Sequence, residues 1–428
     1  MVLFLTFIIL IALILMGVPV AFSMGLSGLF ALLFGHAPQL IDIIAQRMYA
    51  GTTSYILLAI PFFIFAGLLM NAGGMTQRIL KFTTNLIGHV TGGLGHVNVI
   101  ASMIFSGMSG SAVADASGLG TVEMKVMTDA GYDRTFSAAI TAASSTVGPV
   151  IPPSIPFVIY GGLTGVSVGR LFLAGFVPGL FMGIGLMIAV YIISQRRRFP
   201  KTLKRAPVKD LLASTKDALL ALGTPVIIIG GIVTGVFTPT EAGVVASLYA
   251  VFLGAYAFRE LNLEKFLGVV WETIQNSVRI LFIIAAASFL SWVVSYFKGP
   301  EVIVSKFLAV TDNPIFILFL INGLLLVLGC FLEGISIMLL VVPVFMPLIG
   351  RLGIDPVHFG VIVTLNLMIA LITPPMGLSL YSVSVIAKTP IGPMIREIVP
   401  YLIALLAVLF LITVWPASVL FIPRLFMQ

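Results

Sequence analysis

Asp115 and Glu333 are carboxylates in stretches where charge is otherwise absent, FSGMSGSAVADASGLG at 105–120 and LGCFLEGISIM at 328–338. An acid inside an apolar layer is costly, and is a functional candidate for that reason. At a helix N-terminus the same acid is stabilised by the dipole, so capping stands beside ion or solute contact, and the two roles can coexist. In the first stretch eleven of sixteen residues are Gly, Ala or Ser, too small to anchor by apolar burial but suited to close backbone packing. Ser111 and Asp115 lie there one helical turn apart, with Ser109 beside them.

Two double prolines add a second kind of chemistry, in GPVIPPSIPFVIY at 148–160 and ALITPPMGLSLYS at 370–382. A proline leaves the carbonyl four residues earlier without its helical donor, which frees Gly148 and Pro149 in one case and Ala370 and Leu371 in the other. Away from water such carbonyls need a partner, and Na⁺, a hard cation that prefers oxygen, would serve several at once. The half-helix that starts after each break presents free N–H groups and a positive dipole end to an anion. A structural kink satisfied by hydroxyls or waters is the plainer reading for one such pair, and duplication favours the functional one. The residues gathered are Ser109, Ser111, Asp115, Ser154, Glu333 and Asn366 for a solute. For Na⁺ they are Ser109, Gly148, Pro149, Gly329, Glu333, Ala370, Leu371, Thr373 and Met376. Asn366, eight residues before Pro374, is expected to reach the break, with Ser144 as its equivalent; Glu241, Asp133 and Asp355 are expected to be helix caps.

The elements that position these residues follow from composition. The chain has 428 residues, 59% apolar and 9% charged, against about 25% charged in soluble domains. Its apolar residues fall in runs long enough to cross a bilayer, which makes it an all-α polytopic membrane protein. The first run has no basic segment before it and is expected to be a retained helix rather than a signal peptide. His36, His89, His96 and His358 are scattered and complete no metal pattern, and the single cysteine, Cys330, excludes an internal disulfide. The net charge of +7 owes much to RRRFPKTLKRAPVK at 196–209, a short loop between membrane helices that reads as a cytoplasmic signal and not as a nucleic-acid surface.

A shift of 222 positions lays Pro152 and Pro153 on Pro374 and Pro375, Gly107 on Gly329, Gly131 and Asp133 on Gly353 and Asp355, and Val177-Pro178 on Val399-Pro400. Two repeats, 1–195 and 218–428, are therefore expected around a basic linker, 196–217. Crossings are placed at 2–17, 20–35, 50–70, 135–165 (broken) and 172–194, then 218–237, 240–257, 276–297, 356–386 and 396–418. Segments 94–120 and 315–348 are read as re-entrant hairpins. Five crossings invert the second repeat and put both termini outside when the linker is inside.

In GVPVAF, SGSAVADASGLG, GPVIPPSIPFVIYG, LFLAGFVPG, FTPTEAG and LITPPMG, in this order and over nearly the whole length, the chain resembles the large membrane subunit of the tripartite ATP-independent periplasmic (TRAP) transporters. The resemblance implies uptake of a carboxylate-bearing solute such as a C4-dicarboxylate or sialic acid, Na⁺ coupling, and location in a bacterial inner membrane. It also implies a small four-helix membrane subunit, in this chain unfused, and a periplasmic substrate-binding protein. An elevator is implied, with 91–190 and 313–412 moving against scaffold at 1–90 and 218–310. Glu333 stands where the family more often has Asp, and the extra methylene changes its reach. Within transport the alternative is a self-sufficient ion-coupled organic anion transporter or antiporter. An intramembrane enzyme lacks a His or Lys beside its serines, and a channel lacks filter-like carbonyl runs or charged rings.

Overall fold

A computed structural model describes residues 1–199, 205–375 and 377–427, with all their side chains except those at 106–109, 113 and 114. Every regular element among them is helical. The first half holds α1 (Val2–Leu15), α2 (Val20–Phe34), α3 (Ile43–Thr52), α4 (Ala59–Ala72) and α5 (Met75–Ile87), and then α6 (Gly93–Ser109), α7 (Ala112–Ser117), α8 (Leu119–Asp129), α9 (Arg134–Ser145), α10 (Ile155–Thr164) and α11 (Val168–Arg197). The second holds α12 (Val208–Val233), α13 (Pro239–Phe252), α14 (Leu263–Tyr296) and α15 (Gly299–Val310), and then α16 (Pro314–Gly329), α17 (Gly334–Arg351), α18 (Pro356–Ala370), α19 (Leu378–Ala387), α20 (Ile391–Val414) and α21 (Pro416–Phe426).

Both double prolines split a helix, α9 from α10 and α18 from α19, and in both the bond between the two prolines is cis. Single prolines do not: α11 runs through Pro178 and α20 through Pro400. One missing donor bends a ladder, whereas two adjacent ones remove consecutive bonds and end it. Side-chain caps start the flanking helices. Asp133 accepts from the Phe136 N–H at 2.9 Å and Asp355 from the Val357 N–H at 2.8 Å. Thr238 and Glu241 form a reciprocal capping box at α13. All three acids are therefore caps, as their sequence context suggests.

The broken helices form the centre of the protein. α18 is buried from Val357 to Ala370 and α9 from Phe136 to Ser145. A helix that is covered all round needs no polar face, so apolar and small residues dominate these segments, and the larger polar groups of α18, His358 and Asn366, find partners inside. Tyr160 on α10 donates to the Pro356 carbonyl at 2.6 Å, tying the second half of one break to the first half of the other. Outside this centre α14 packs along α2, α3 and α4 and reaches α17, while α13 lies on α4.

Several boundaries differ from the sequence reading. α14 starts at Leu263, capped by Asn262, and not at 276, because Glu264, Lys265 and Glu272 interrupt its apolar run without breaking the helix. α12 starts at Val208, so the basic linker is shorter than 196–217. α3, α5, α8, α15 and α21 lie wholly or mostly outside the segments read from the sequence. Seven helices among the described residues are long and apolar enough to cross a membrane. The 14 and 15 residues of α1 and α2 fall short of that length, since about 20 are needed for a 30 Å core. α17, read as half of a hairpin, is long enough to cross; 67% of its apolar window is buried, so packing against protein accounts for most of its apolar character.

Candidate functional site

The two hairpin tips meet the two breaks. Gly110, at φ +59°, takes the α6–α7 turn over the first break, where an added Cβ would come within 3.0 Å of the Pro153 carbonyl oxygen. Only glycine both adopts that φ readily and permits that approach. At the second break a Cβ on Gly329, the last residue of α16, would stand 2.2 Å from the Ala370 Cβ.

A cavity of about 100 Å³ lies between these four features, lined among others by Ser111, Pro149, Glu333 and Leu371. It shares Ser111, Ile155, Ile280, Glu333 and Ile335 with a larger one of about 460 Å³, which extends to α4 through Asn71 and to α14 through Glu272, Asn276 and Arg279. Pockets that enclose small organic ligands have volumes of this order, about 300 to 1,000 Å³. The smaller space suits an ion or a water.

Of the residues expected at a solute site, Ser111 and Glu333 line both cavities. Glu333 also caps α17, accepting from the Ser336 N–H at 3.2 Å and its hydroxyl at 3.0 Å. Ser154 caps α10 by accepting from the Phe157 N–H, and its hydroxyl donates to the Pro149 carbonyl. Asp115 is 1% exposed and lines neither cavity; its N–H closes a turn onto the Ser111 carbonyl at 3.0 Å. Asn366 does not reach its break. Its amide donates to the Asn322 carbonyl at 3.0 Å and to Oδ1 of Asn322 at 2.9 Å, which joins α18 to α16. The Ser109 side chain and Met376 lie outside the described residues.

Most of the carbonyls freed by the prolines already have at least one protein donor. Pro149 has the Ser154 hydroxyl, Ala370 the Thr373 N–H at 3.1 Å, and Leu371 two donors, the Ser379 N–H at 3.0 Å and the Leu380 N–H at 3.4 Å. A carbonyl has two lone pairs, so Pro149 and Ala370 can each still face a cation, whereas Leu371 already accepts two donors. The Thr373 hydroxyl donates to Ile369 O at 2.8 Å, and Gly148 follows Ser145 in a tight turn, its N–H on the Ser145 carbonyl at 3.3 Å.

Three features escaped the sequence reading. Glu123 on α8 is 2% exposed and accepts from Asn98 Nδ2 at 2.7 Å. Asn98 also donates to Thr141 at 2.8 Å and accepts from the Ser144 hydroxyl at 2.7 Å, while Ser102 donates to Ser144 at 3.1 Å. This buried network binds α6, α8 and α9 into one unit. The asparagine on the first helix of each hairpin, Asn98 or Asn322, thus meets the residue 222 positions apart on the broken helices, Ser144 or Asn366. The third feature is the polar stripe Glu272, Asn276 and Arg279 on α14, whose spacing of four and three puts it on one face. Polar residues at helical spacing just before the apolar run 280–294 were the available signal.

The fold and site define a polytopic helical membrane protein in which broken helices and hairpin tips meet at a largely apolar cavity with a few convergent polar groups. A family model described as Tripartite ATP-independent periplasmic transporter, DctM component, matches residues 7–418. The sialic acid TRAP transporter large permease protein SiaM of Vibrio cholerae is 46% identical over 96% of this chain and 96% of that one. The sialic acid TRAP transporter permease protein SiaT of Haemophilus influenzae is 40% identical over 96% of this chain, which spans 66% of that protein. The C4-dicarboxylate TRAP transporter large permease protein DctM of Pseudomonas aeruginosa is 38% identical over 94% of each. The chain belongs to the DctM component family of TRAP transporters: it is a large permease subunit and not an enzyme. In fold alone it is similar to the YdaH transporter of Alcanivorax borkumensis, with TM-score 0.66, 16% identity, and 89% of this chain and 88% of that one covered.

Proposed function

We propose that this subunit carries a carboxylate-bearing solute, a sialic acid, a C4-dicarboxylate or a related organic acid, into the cell together with Na⁺. The observation that carries the reading is the pair of adjoining cavities. Ser111 and Glu333 from the two hairpin tips meet Pro149 and Leu371 from the two breaks there, so oxygen ligands for a cation lie beside a space of organic-acid size. The names of the relatives supply the substrate class.

The arrangement also supports an elevator. The tips and broken helices are bonded to one another through Asn98 and Asn322, whereas α14 and α4 bound the cavity from the other side. A unit held together internally can shift as a body along that boundary and carry its site with it. The two inverted repeats, the inner-membrane location, a cytoplasmic linker and external termini belong to the same reading. So do a small four-helix membrane subunit and a periplasmic binding protein that delivers the solute.

Proteoliposomes test it. The chain with its small subunit should accumulate N-acetylneuraminate or succinate only under an inward Na⁺ gradient and only with binding protein added. Ser111→Ala and Ser109→Ala should abolish or greatly reduce that uptake, as should Asp115→Asn, while the protein remains in the membrane. Normal uptake by all three would remove the first hairpin from the site. Full uptake by the chain alone would favour a self-sufficient ion-coupled transporter.

A further inference from the structure

Arg279 is the seventeenth of the 34 residues of α14 and stands at the N-terminal end of the apolar stretch 280–294 that gives this helix its mean hydropathy of 2.0. A guanidinium at such a place is expensive unless it is paired or faces water. Among the described residues it is not paired. The two ion pairs are Arg78 with Glu260 and Arg197 with Glu397, and the two arginine–ring contacts belong to Arg47 and Arg78. Arg279 instead lines the 460 Å³ cavity, where it is the only cation among the lining residues. Neither of the two acids there forms an ion pair with it. Glu333 is engaged in capping α17, and Glu272 lies two turns away on the same helix. Ser111 and Ser117 of the first hairpin and Asn276 of α14 are further polar groups in a lining that is otherwise largely apolar and holds one positive group.

We propose that Arg279 recognises the carboxylate of the solute, and that this contact sets the preference for acids over uncharged analogues. This rests on the transport reading above. A planar guanidinium meets a carboxylate through two parallel hydrogen bonds, a geometry that neither hydroxyls nor a lysine reproduce. The guanidinium belongs to α14 and the serines to the hairpin tip, so a solute between them is held by both sides of the boundary along which the carrier shifts. The shift itself withdraws the carboxylate contact and favours release.

The test is binding of N-acetylneuraminate and of succinate to the purified complex with its small subunit in saturating NaCl, read as solute-dependent thermal stabilisation. N-acetylmannosamine, which has no carboxylate, is the uncharged comparison. Arg279→Gln should weaken binding of the acid that wild type takes by roughly ten- to hundred-fold, as expected for a lost charge-assisted pair, and should erase the preference over N-acetylmannosamine. Arg279→Lys keeps the charge without the fork and should fall between. If Arg279→Gln does not fold, the lysine variant decides alone: wild-type affinity and preference overturn the proposal. Wild-type affinity in both variants likewise overturns it and leaves the transport reading standing. Failure of the wild-type complex to bind or take up either acid contradicts the transport reading instead.

Discussion

Replacing Asn98 by alanine removes three hydrogen bonds at once from the network that joins α6, α8 and α9. The two neutral bonds, to Thr141 and from Ser144, are each worth about 0.6 kcal/mol by the average for such contacts between membrane helices. The bond to Glu123, at 2.7 Å and fully buried, is worth about 1.5 to 3 kcal/mol, because its loss strands a carboxyl oxygen with no water to replace the donor. The variant should therefore lose roughly 3 to 4 kcal/mol. Reversible unfolding in mixed detergent micelles reads that loss, and a cycle with Glu123→Gln isolates the pair. An amide at 123 has a smaller desolvation cost, so the double variant should recover part of the deficit. In the proposed elevator the first hairpin moves with its broken helix, so the same variant should lose uptake disproportionately. Stability within about 0.5 kcal/mol of wild type, the usual scatter for an indifferent site, would refute the reasoning.

Other perturbations follow from single contacts. Gly329→Ala places a Cβ against that of Ala370 and should cost about 1 to 3 kcal/mol by overpacking; Ala370→Gly in the same chain should restore much of it, and no rescue in thermal unfolding would show that the approach does not matter. Thr238→Ala removes a cap that lines neither cavity and should cost about 1 kcal/mol without changing uptake; a transport defect would count against the placement of the site. Pro153→Ala supplies an N–H that competes for the Pro149 carbonyl and should raise the Na⁺ concentration needed for half-maximal uptake. An unchanged Na⁺ requirement would make the break a structural kink.

The breaks were legible because a double proline in an apolar run has few physical readings, and the caps because Asp133, Thr238 with Glu241 and Asp355 stand just before their helices. What spacing could not reveal was which polar groups meet across the fold. Asn366 reads as a neighbour of Pro374, yet it faces sideways to Asn322, a pairing over 44 residues that only packing creates. Glu123 lies beyond the small-residue stretch, and its burial depends on α9 covering it. Arg279 reads as the charged edge of a crossing because Glu272 and Lys265 precede it. Its place against the cavity comes from the packing of α14 on α4 and α17, which spacing does not show.

The central claim is that the two breaks and the two hairpin tips form one site at which Na⁺ and an organic anion meet. Its most direct test is the thermal stability of the purified complex with its small subunit, titrated with NaCl against KCl and choline chloride at equal ionic strength. A cation that binds only the folded state stabilises it by RT ln(1 + [L]/Kd). The account predicts a saturable rise with Na⁺ alone, shifted to higher concentration by Pro153→Ala. Equal curves in Na⁺ and K⁺ would contradict it.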